Sequence, residues 1–209
     1  MEQIRTFVAI ELDDSIKAGL TELQKRLKAE APPGAVRWVR PDGIHLTLKF
    51  LGNVPASRIE EITQAIAGAC RGFGPLSLSV GGLGCFPNSR RPRVLWVGVE
   101  EPTGALAELQ QAIEEALVGL GFPPEGRPFH PHLTLGRTQR RVSSADVRRL
   151  GQLVEETEIG HLGRMEAKAI SLMRSDLKPT GAVYTRLAAI KLEGKEENEE
   201  SKNVSSKPL

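Results

Sequence analysis

The sequence predicts an α+β protein, bilobal and built from a pseudo-two-fold duplicated unit, with antiparallel sheets around a central cleft. Three observations carry that expectation. The tetrapeptide His-Leu-Thr-Leu occurs twice, at residues 45–48 and 132–135. Around each copy the same order of strand-like and helix-like patterns recurs, with a proline break before the histidine and a serine-headed helix start after it. The offset between equivalent landmarks is nearly constant, 87 positions for the histidines and 86 for Ser57 and Ser143, as an internal duplication leaves.

Residues 4–12 are rich in β-branched and apolar side chains and read as a strand, after which Asp13, Asp14 and Ser15 supply N-cap chemistry. Ile16, Leu20, Leu23 and Leu27 then recur at helical spacing. Pro32, Pro33 and Gly34 stop that helix and begin a connection to the first histidine strand, residues 43–52, which Gly52 and Pro55 end. Ser57 and Glu60 have capping-box spacing for a second helix, with Ile59, Ile62 and Ile66 on its apolar face and Gly72 and Gly74 ending it. Leu76, Leu78 and Val80 alternate with small polar residues as a half-buried strand, and residues 94–99 read as another. Between those two a Gly-rich loop is expected, ending in Ser89, Arg90, Arg91, Pro92 and Arg93.

The order then begins again. Leu106, Leu109, Ile113, Leu117 and Leu120 mark a third helix, and Pro123, Pro124 and Gly126 break it. The second histidine strand follows, Ser143 and Asp146 repeat the capping box, and Val147, Leu150, Leu153 and Val154 face a fourth helix. Two final strands, 167–173 and 182–192, complete the unit. Residues 1–192 thus read as one domain of two similar lobes, and residues 193–209, almost free of apolar side chains, as a disordered polar tail.

Composition bounds the function. With 209 residues, 40% hydrophobic and 26% charged, the chain is ordinary globular protein. Its start lacks a long apolar run with a cleavage site, and its longest uncharged stretch, residues 72–89, holds too many Gly and Pro residues for a membrane helix. A cytoplasmic monomer with no membrane partner is expected. Cys70 and Cys85 are too few for a disulfide framework or a thiolate metal site. The net charge of +2 includes five tail glutamates, so the body is more basic and suits an anionic substrate.

On a strand, His45 and Thr47 share one face and His132 and Thr134 repeat the arrangement, which makes a polar pocket on an apolar floor. Histidine titrates near neutrality, so one ring can give a proton while the other takes one. Lys49 shares the parity of His45 and Thr47 and is expected at the cleft rim as a phosphate-binding cation, with a plain surface lysine as the alternative. Arg137 has the wrong parity on a regular strand; either Gly136 permits a bulge that re-aims it, or it is a solvated arginine. His130 and His132 share a face as a metal-ligating pair would, yet no third ligand lies nearby, and His161 reads as a loop residue.

The segments RTFVAIEL, VRPDGIHLTLKFLGNV, RPFHPHLTLGR and SLMRSDLKPTGAVYTRL together resemble the two-histidine (2H) phosphoesterases, in particular the RNA 2′,3′-cyclic phosphodiesterases also called 2′-5′ RNA ligases. The likeness runs from Arg5 to Leu192 in the same order. It implies a bilobal fold with both motifs facing one cleft, no metal and no cofactor. It further implies His45 as general acid, His132 as general base, Thr47 and Thr134 as phosphate ligands, and a phosphate contact for Arg137. RNA ends or cyclic nucleotides are the implied substrates, with the cyclic phosphates opened to 2′-phosphates and 2′-5′ ligation as the reverse of the same acid-base chemistry at an RNA strand break. Two rivals stand beside this: an RNA-end-binding module without turnover, and a 2H enzyme for small nucleotides such as ADP-ribose 1″,2″-cyclic phosphate. The clusters Arg90, Arg91, Arg93 and Arg140, Arg141, Arg148, Arg149 either steer RNA toward the cleft or are solvated surface.

Overall fold

The computed structural model describes residues 2–178 and 181–194. In order the elements are β1 (Gln3–Glu11), α1 (Asp14–Glu30), β2 (Val36–Trp38), β3 (His45–Pro55), α2 (Ile59–Cys70), β4 (Leu76–Phe86) and β5 (Val94–Glu100), then α3 (Ala105–Gly119), β6 (His132–Thr138), α4 (Ser144–Glu156), β7 (His161–Ala167), β8 (Ala169–Lys178) and β9 (Gly181–Lys191). Among the described residues no helix is long and apolar enough to cross a membrane. The expected disordered tail lies, from residue 195 on, outside the described residues.

Local chemistry explains most boundaries. The Asp13 carboxylate accepts from the Ile16 N–H at 3.0 Å and starts α1, whose Ile16, Leu20, Leu23 and Leu27 are all buried. At α4 the Ser143 hydroxyl accepts from the Asp146 N–H at 3.1 Å, as its spacing predicts. The matching box at Ser57 does not form. There a 3₁₀ turn, Ala56–Arg58, runs straight into α2, and the Ile59 N–H bonds the Ala56 carbonyl, so the helix start needs no serine. The expected Gly-rich loop is also a strand, since β4 continues to Phe86. Its glycines are steric: Gly82, at φ 71°, is the extra residue of a bulge, and the Trp96 indole lies where a Gly84 side chain would stand. At the end of the chain three strands form instead of two, with His161 opening β7 rather than lying in a loop.

All pairings are antiparallel, in the order β7-β4-β5-β6-β3-β1-β8-β9, with β2 also on β6. The two expected sheets are therefore one, joined at its centre by β3 and β6 through the pair Leu46↔Leu133. Outward from that pair the halves match strand for strand: β3 with β6, β1 with β5, β8 with β4, β9 with β7. Each half borrows two strands: β2 and β4 of the first half of the chain pair with β6 and β5, while β8 of the second half pairs with β1 and carries β9 with it. All four helices lie on one face, α2 and α3 against β9 and β3, α1 and α4 against β7 and β4. Val8, Ile10, Leu46, Leu48, Leu95, Val97, Leu133 and Leu135 point into that helical layer and are almost wholly buried. Each such side chain contributes about 1.5–3 kcal/mol on burial. The opposite face curls inward, so that Tyr184 of β9 reaches His45 three strands away, and it forms the cleft.

Candidate active site

The Leu46↔Leu133 pair sits on the pseudo-two-fold axis, and its antiparallel register sets His45 opposite Thr134 and Thr47 opposite His132. Both leucines point into the core, so the four polar side chains point into the cleft. Each imidazole is fixed in the same way. Nδ1–H of His45 donates to the Gly43 carbonyl at 2.9 Å and Nδ1–H of His132 to the His130 carbonyl at 2.6 Å, which leaves Nε2 of each ring free. Aromatic rings hold both. His45 stacks on Phe7 at 4.5 Å and meets the edge of Tyr184 at 5.0 Å, while His132 meets Phe86 edge-on at 5.0 Å and lies 6.3 Å from Trp96.

Beyond the threonines both strands bulge at the same place. On β3 the pairing to β1 passes from Thr47 to Lys49, so Leu48 is extra. On β6 the pairing to β5 passes from Thr134 to Gly136, so Leu135 is extra. Two successive residues then face the helices, and parity is reset: Phe50 and Arg137, the residues after the bulges, join the cleft face. Arg137 therefore reaches the cleft as the bulge alternative expects. Gly136 has a separate task, because a side chain there would meet Val36 of β2 at 2.6 Å.

The same bulge overturns the expectation for Lys49. It points away from the cleft, is 1% exposed, and binds Glu114 of α3 at 2.7 Å and the Pro123 carbonyl at 2.9 Å. Lys49 is a buried structural cation, not a phosphate ligand. Phe50, which the sequence reading passed over, takes the position opposite Arg137, with 54% of its surface exposed and its ring 6.0 Å from Phe7. A buried glutamine secures each bulge. Gln24 of α1 donates to the Leu135 carbonyl at 2.9 Å and to the Val39 carbonyl at 2.8 Å, and Gln110 of α3 donates to the Leu48 carbonyl at 3.3 Å. His130 is exposed, and among the described residues no three His, Cys, Asp or Glu side chains cluster at metal-ligand spacing.

Electrostatics separate the two histidines. Burial pushes the His45 pKa down to about 4, opposed by its bond to Gly43 and by the Glu11 carboxylate, its partner in the β1–β3 register. Glu11 is itself held anionic by Arg186, at 2.6 and 2.9 Å, and by Ser171 at 2.6 Å. Burial also lowers His132, opposed by its bond to the His130 carbonyl, and the charges of Arg137 and His130 lower it further. Local charge thus favours a proton on His45 and a neutral His132, while burial alone favours neutral rings at both. A bound phosphate anion shifts the balance toward protonation at either ring, and Glu11 directs that gain to His45.

Two His-x-Thr strands related by a pseudo-two-fold axis, on a cleft that Arg137 also reaches, are the arrangement expected of a two-histidine phosphoesterase. A family model described as LigT like phosphoesterase matches the chain twice, over residues 10–96 and 97–184, one copy for each half of the duplication. The chain belongs to that family. It is 34% identical to the RNA 2′,3′-cyclic phosphodiesterase of Methanothermobacter thermautotrophicus over 190 residues, covering 91% of this chain and all of that one. It is 31% identical to the enzyme of that name from Thermus thermophilus, covering 98% of each. Among solved structures it resembles TT0787 of Thermus thermophilus, with TM-score 0.76, 27% identity and coverage of 92% and 100%. It also resembles E. coli LigT complexed with 3′-AMP, with TM-score 0.72, 25% identity and coverage of 91% and 99%.

Proposed function

We propose that this protein hydrolyses RNA 2′,3′-cyclic phosphodiester ends to 2′-phosphomonoesters. The observation that carries the reading is the Leu46↔Leu133 register, which sets a histidine and a threonine of one half against a threonine and a histidine of the other around a single point. A cyclic phosphodiester centred there has an imidazole on each side of phosphorus. His132 takes a proton from the attacking water, and His45 gives one to the departing ribose 3′ oxygen, so that the 2′ oxygen keeps the phosphate. Each positioned acid or base contributes about a hundredfold to ten-thousandfold. Thr47, Thr134 and Arg137 donate hydrogen bonds to the non-bridging oxygens, whose charge grows in the pentacoordinate state. The exposed Phe50 ring suits stacking by a base of the substrate.

Imidazoles, hydroxyls and a guanidinium supply every proton and donor this displacement needs, so the reaction proceeds without metal or cofactor. Ligation by a 2′-5′ bond is the same acid-base chemistry with the 5′ hydroxyl of a second RNA end, in place of water, attacking the 2′,3′-cyclic phosphate and expelling the ribose 3′ oxygen. The test is incubation of the purified protein with a cyclic-phosphate-ended oligonucleotide in the presence of EDTA. Turnover to a 2′-phosphate is expected, at a rate unchanged by the chelator. A 3′-phosphate product reverses the acid and base roles, and activity restored only by a divalent ion refutes the metal-free mechanism. Tight binding of the RNA end with no turnover identifies a binding module instead.

A further inference from the structure

Arg37 of β2 and Arg137 of β6 stand directly opposite each other in the antiparallel ladder, and both are exposed. Like charges so placed destabilise a strand pair. Among the described residues no carboxylate pairs with either; the arginines ion-paired there are Arg40, Arg58, Arg174 and Arg186. The fold nevertheless enforces the juxtaposition. The Val39 N–H bonds the Leu135 carbonyl at 2.8 Å, Gln24 clamps the carbonyls of Val39 and Leu135 together, and Gly136 has given up its side chain to let β2 lie close.

Register decides where the pair faces. Because the bulge at Leu135 turns Arg137 to the cleft face, its cross-strand partner Arg37 is on that face too. With β5 along one edge of β6, strand β2 occupies the same edge as β3, beyond the Leu46↔Leu133 contact. Arg37 therefore lies toward the end of the cleft rather than over the histidines. Burial raises the Tyr184 pKa, and the charges of Arg137, Arg5 and Arg37 oppose that rise, so the positive field reaches the wall that holds His45.

We infer that Arg37 forms, beside Arg137, a second anion subsite, which takes the phosphodiester next to the reacting phosphate at an RNA end. The inference rests on the preceding reading, in which Arg137 serves the reacting phosphate. A cyclic mononucleotide has no group for this subsite, whereas an RNA chain carries a charge one nucleotide away, so Arg37 selects polynucleotide ends over mononucleotides.

The experiment compares wild type, Arg37→Ala and Arg37→Lys on three substrates: a 2′,3′-cyclic mononucleotide, a dinucleotide ending in a 2′,3′-cyclic phosphate, and ADP-ribose 1″,2″-cyclic phosphate. Arg37→Ala is expected to lower kcat/KM on the dinucleotide about tenfold or more, mainly through KM, and to leave the mononucleotide within about twofold. The lysine variant recovers part of the loss, and the loss shrinks as salt rises. Melting temperature is expected to stay level or rise, because a like-charge pair has been removed. Equal losses on all substrates, or none on the dinucleotide, overturn the subsite; a loss confined to the ADP-ribose compound overturns its assignment to RNA. A binding arm separates this from the catalytic reading. Single-stranded RNA with a 2′-phosphate end and free 2′-AMP are titrated against wild type and Arg37→Ala. An RNA affinity that depends on Arg37 sustains the subsite even if no substrate turns over, and an unchanged affinity refutes it.

Discussion

The proposed mechanism has His45 give a proton in surroundings that discourage it from holding one. With its pKa pushed to about 4 by burial, it is neutral at pH 7 until an anion arrives. The free protein and the substrate complex therefore differ in acidity, and this shows in the rates. Both kcat and kcat/KM are expected to be bell-shaped, with the alkaline limb of kcat, set in the complex, at higher pH than that of kcat/KM, set in the free protein. Coincident limbs in a full pH profile would remove His45 as the acid. Either His45→Ala or His132→Ala is expected to reduce kcat about a hundredfold to ten-thousandfold, and the double variant by less than the product, since the proposed mechanism uses both in one displacement. Stability carries the same signature. A histidine whose folded pKa is depressed contributes fully above its unfolded value near 6.5 and loses that contribution as pH falls toward 4. His45→Asn is thus expected to flatten the fall in denaturation free energy across that window, by up to about 3 kcal/mol. Lys49 belongs to stability alone. Lys49→Ala strands the buried Glu114 carboxylate, a loss of about 3–5 kcal/mol read by denaturant titration, with KM unchanged in the folded fraction.

At the scale of elements, the sequence declared what periodicity encodes and concealed what breaks it. The helical faces of α1 and α3 were legible because each apolar side chain recurs at the spacing its burial requires, and His45, Thr47, His132 and Thr134 because alternation holds up to the bulges. An extra residue leaves no mark in composition, so parity counted through Leu48 put Lys49 in the cleft and left Phe50 out of it. The second bulge was glimpsed through Gly136, although that glycine answers to β2 and the extra residue is Leu135. One signal was available: Gln24 and Gln110, 86 positions apart on apolar helix faces, are the buried amides that receive the two displaced carbonyls. Gln110→Ala or Gln24→Ala is expected to leave a buried carbonyl short of a donor, at about 1–3 kcal/mol, and to lower kcat as the residues after the bulge lose their register. Loss of stability with kcat intact would reduce the glutamines to packing. The two serines separate likewise. Ser143→Ala is expected to destabilise by about 1 kcal/mol for the lost cap, while Ser57→Ala stays within a few tenths, since only Ser143 bonds its helix.

Over the whole molecule, the duplication has two halves in sequence that are not two halves in space. The family model divides the chain between residues 96 and 97, and a protein cut there would yield two small folded lobes only if each half kept its own strands. Strand exchange forbids it. In the first half β4 is separated from both its neighbours, β5 and β7, and β2 from β6, while β1 loses β8. Its helices fare no better, since α1 packs toward β7 and α2 against α3 and β9, all in the second half. What survives is the β1–β3 pair with unpartnered edges and an uncovered apolar face, and a lone strand pair is marginal in water. A fragment of residues 1–92 is therefore expected to lack a cooperative melting transition by circular dichroism, as is one of residues 93–194. Mixed during refolding, the two should associate and recover turnover, because each supplies one histidine and one threonine to the same site and the strands the other lacks. A first fragment that melts cooperatively by itself would contradict the exchanged topology. A single transition in the intact chain, with Leu46→Ala lowering its midpoint by about 2–5 kcal/mol of stability and kcat falling with it, follows from the same joint, since that pair both fastens the halves and sets the histidines across the cleft.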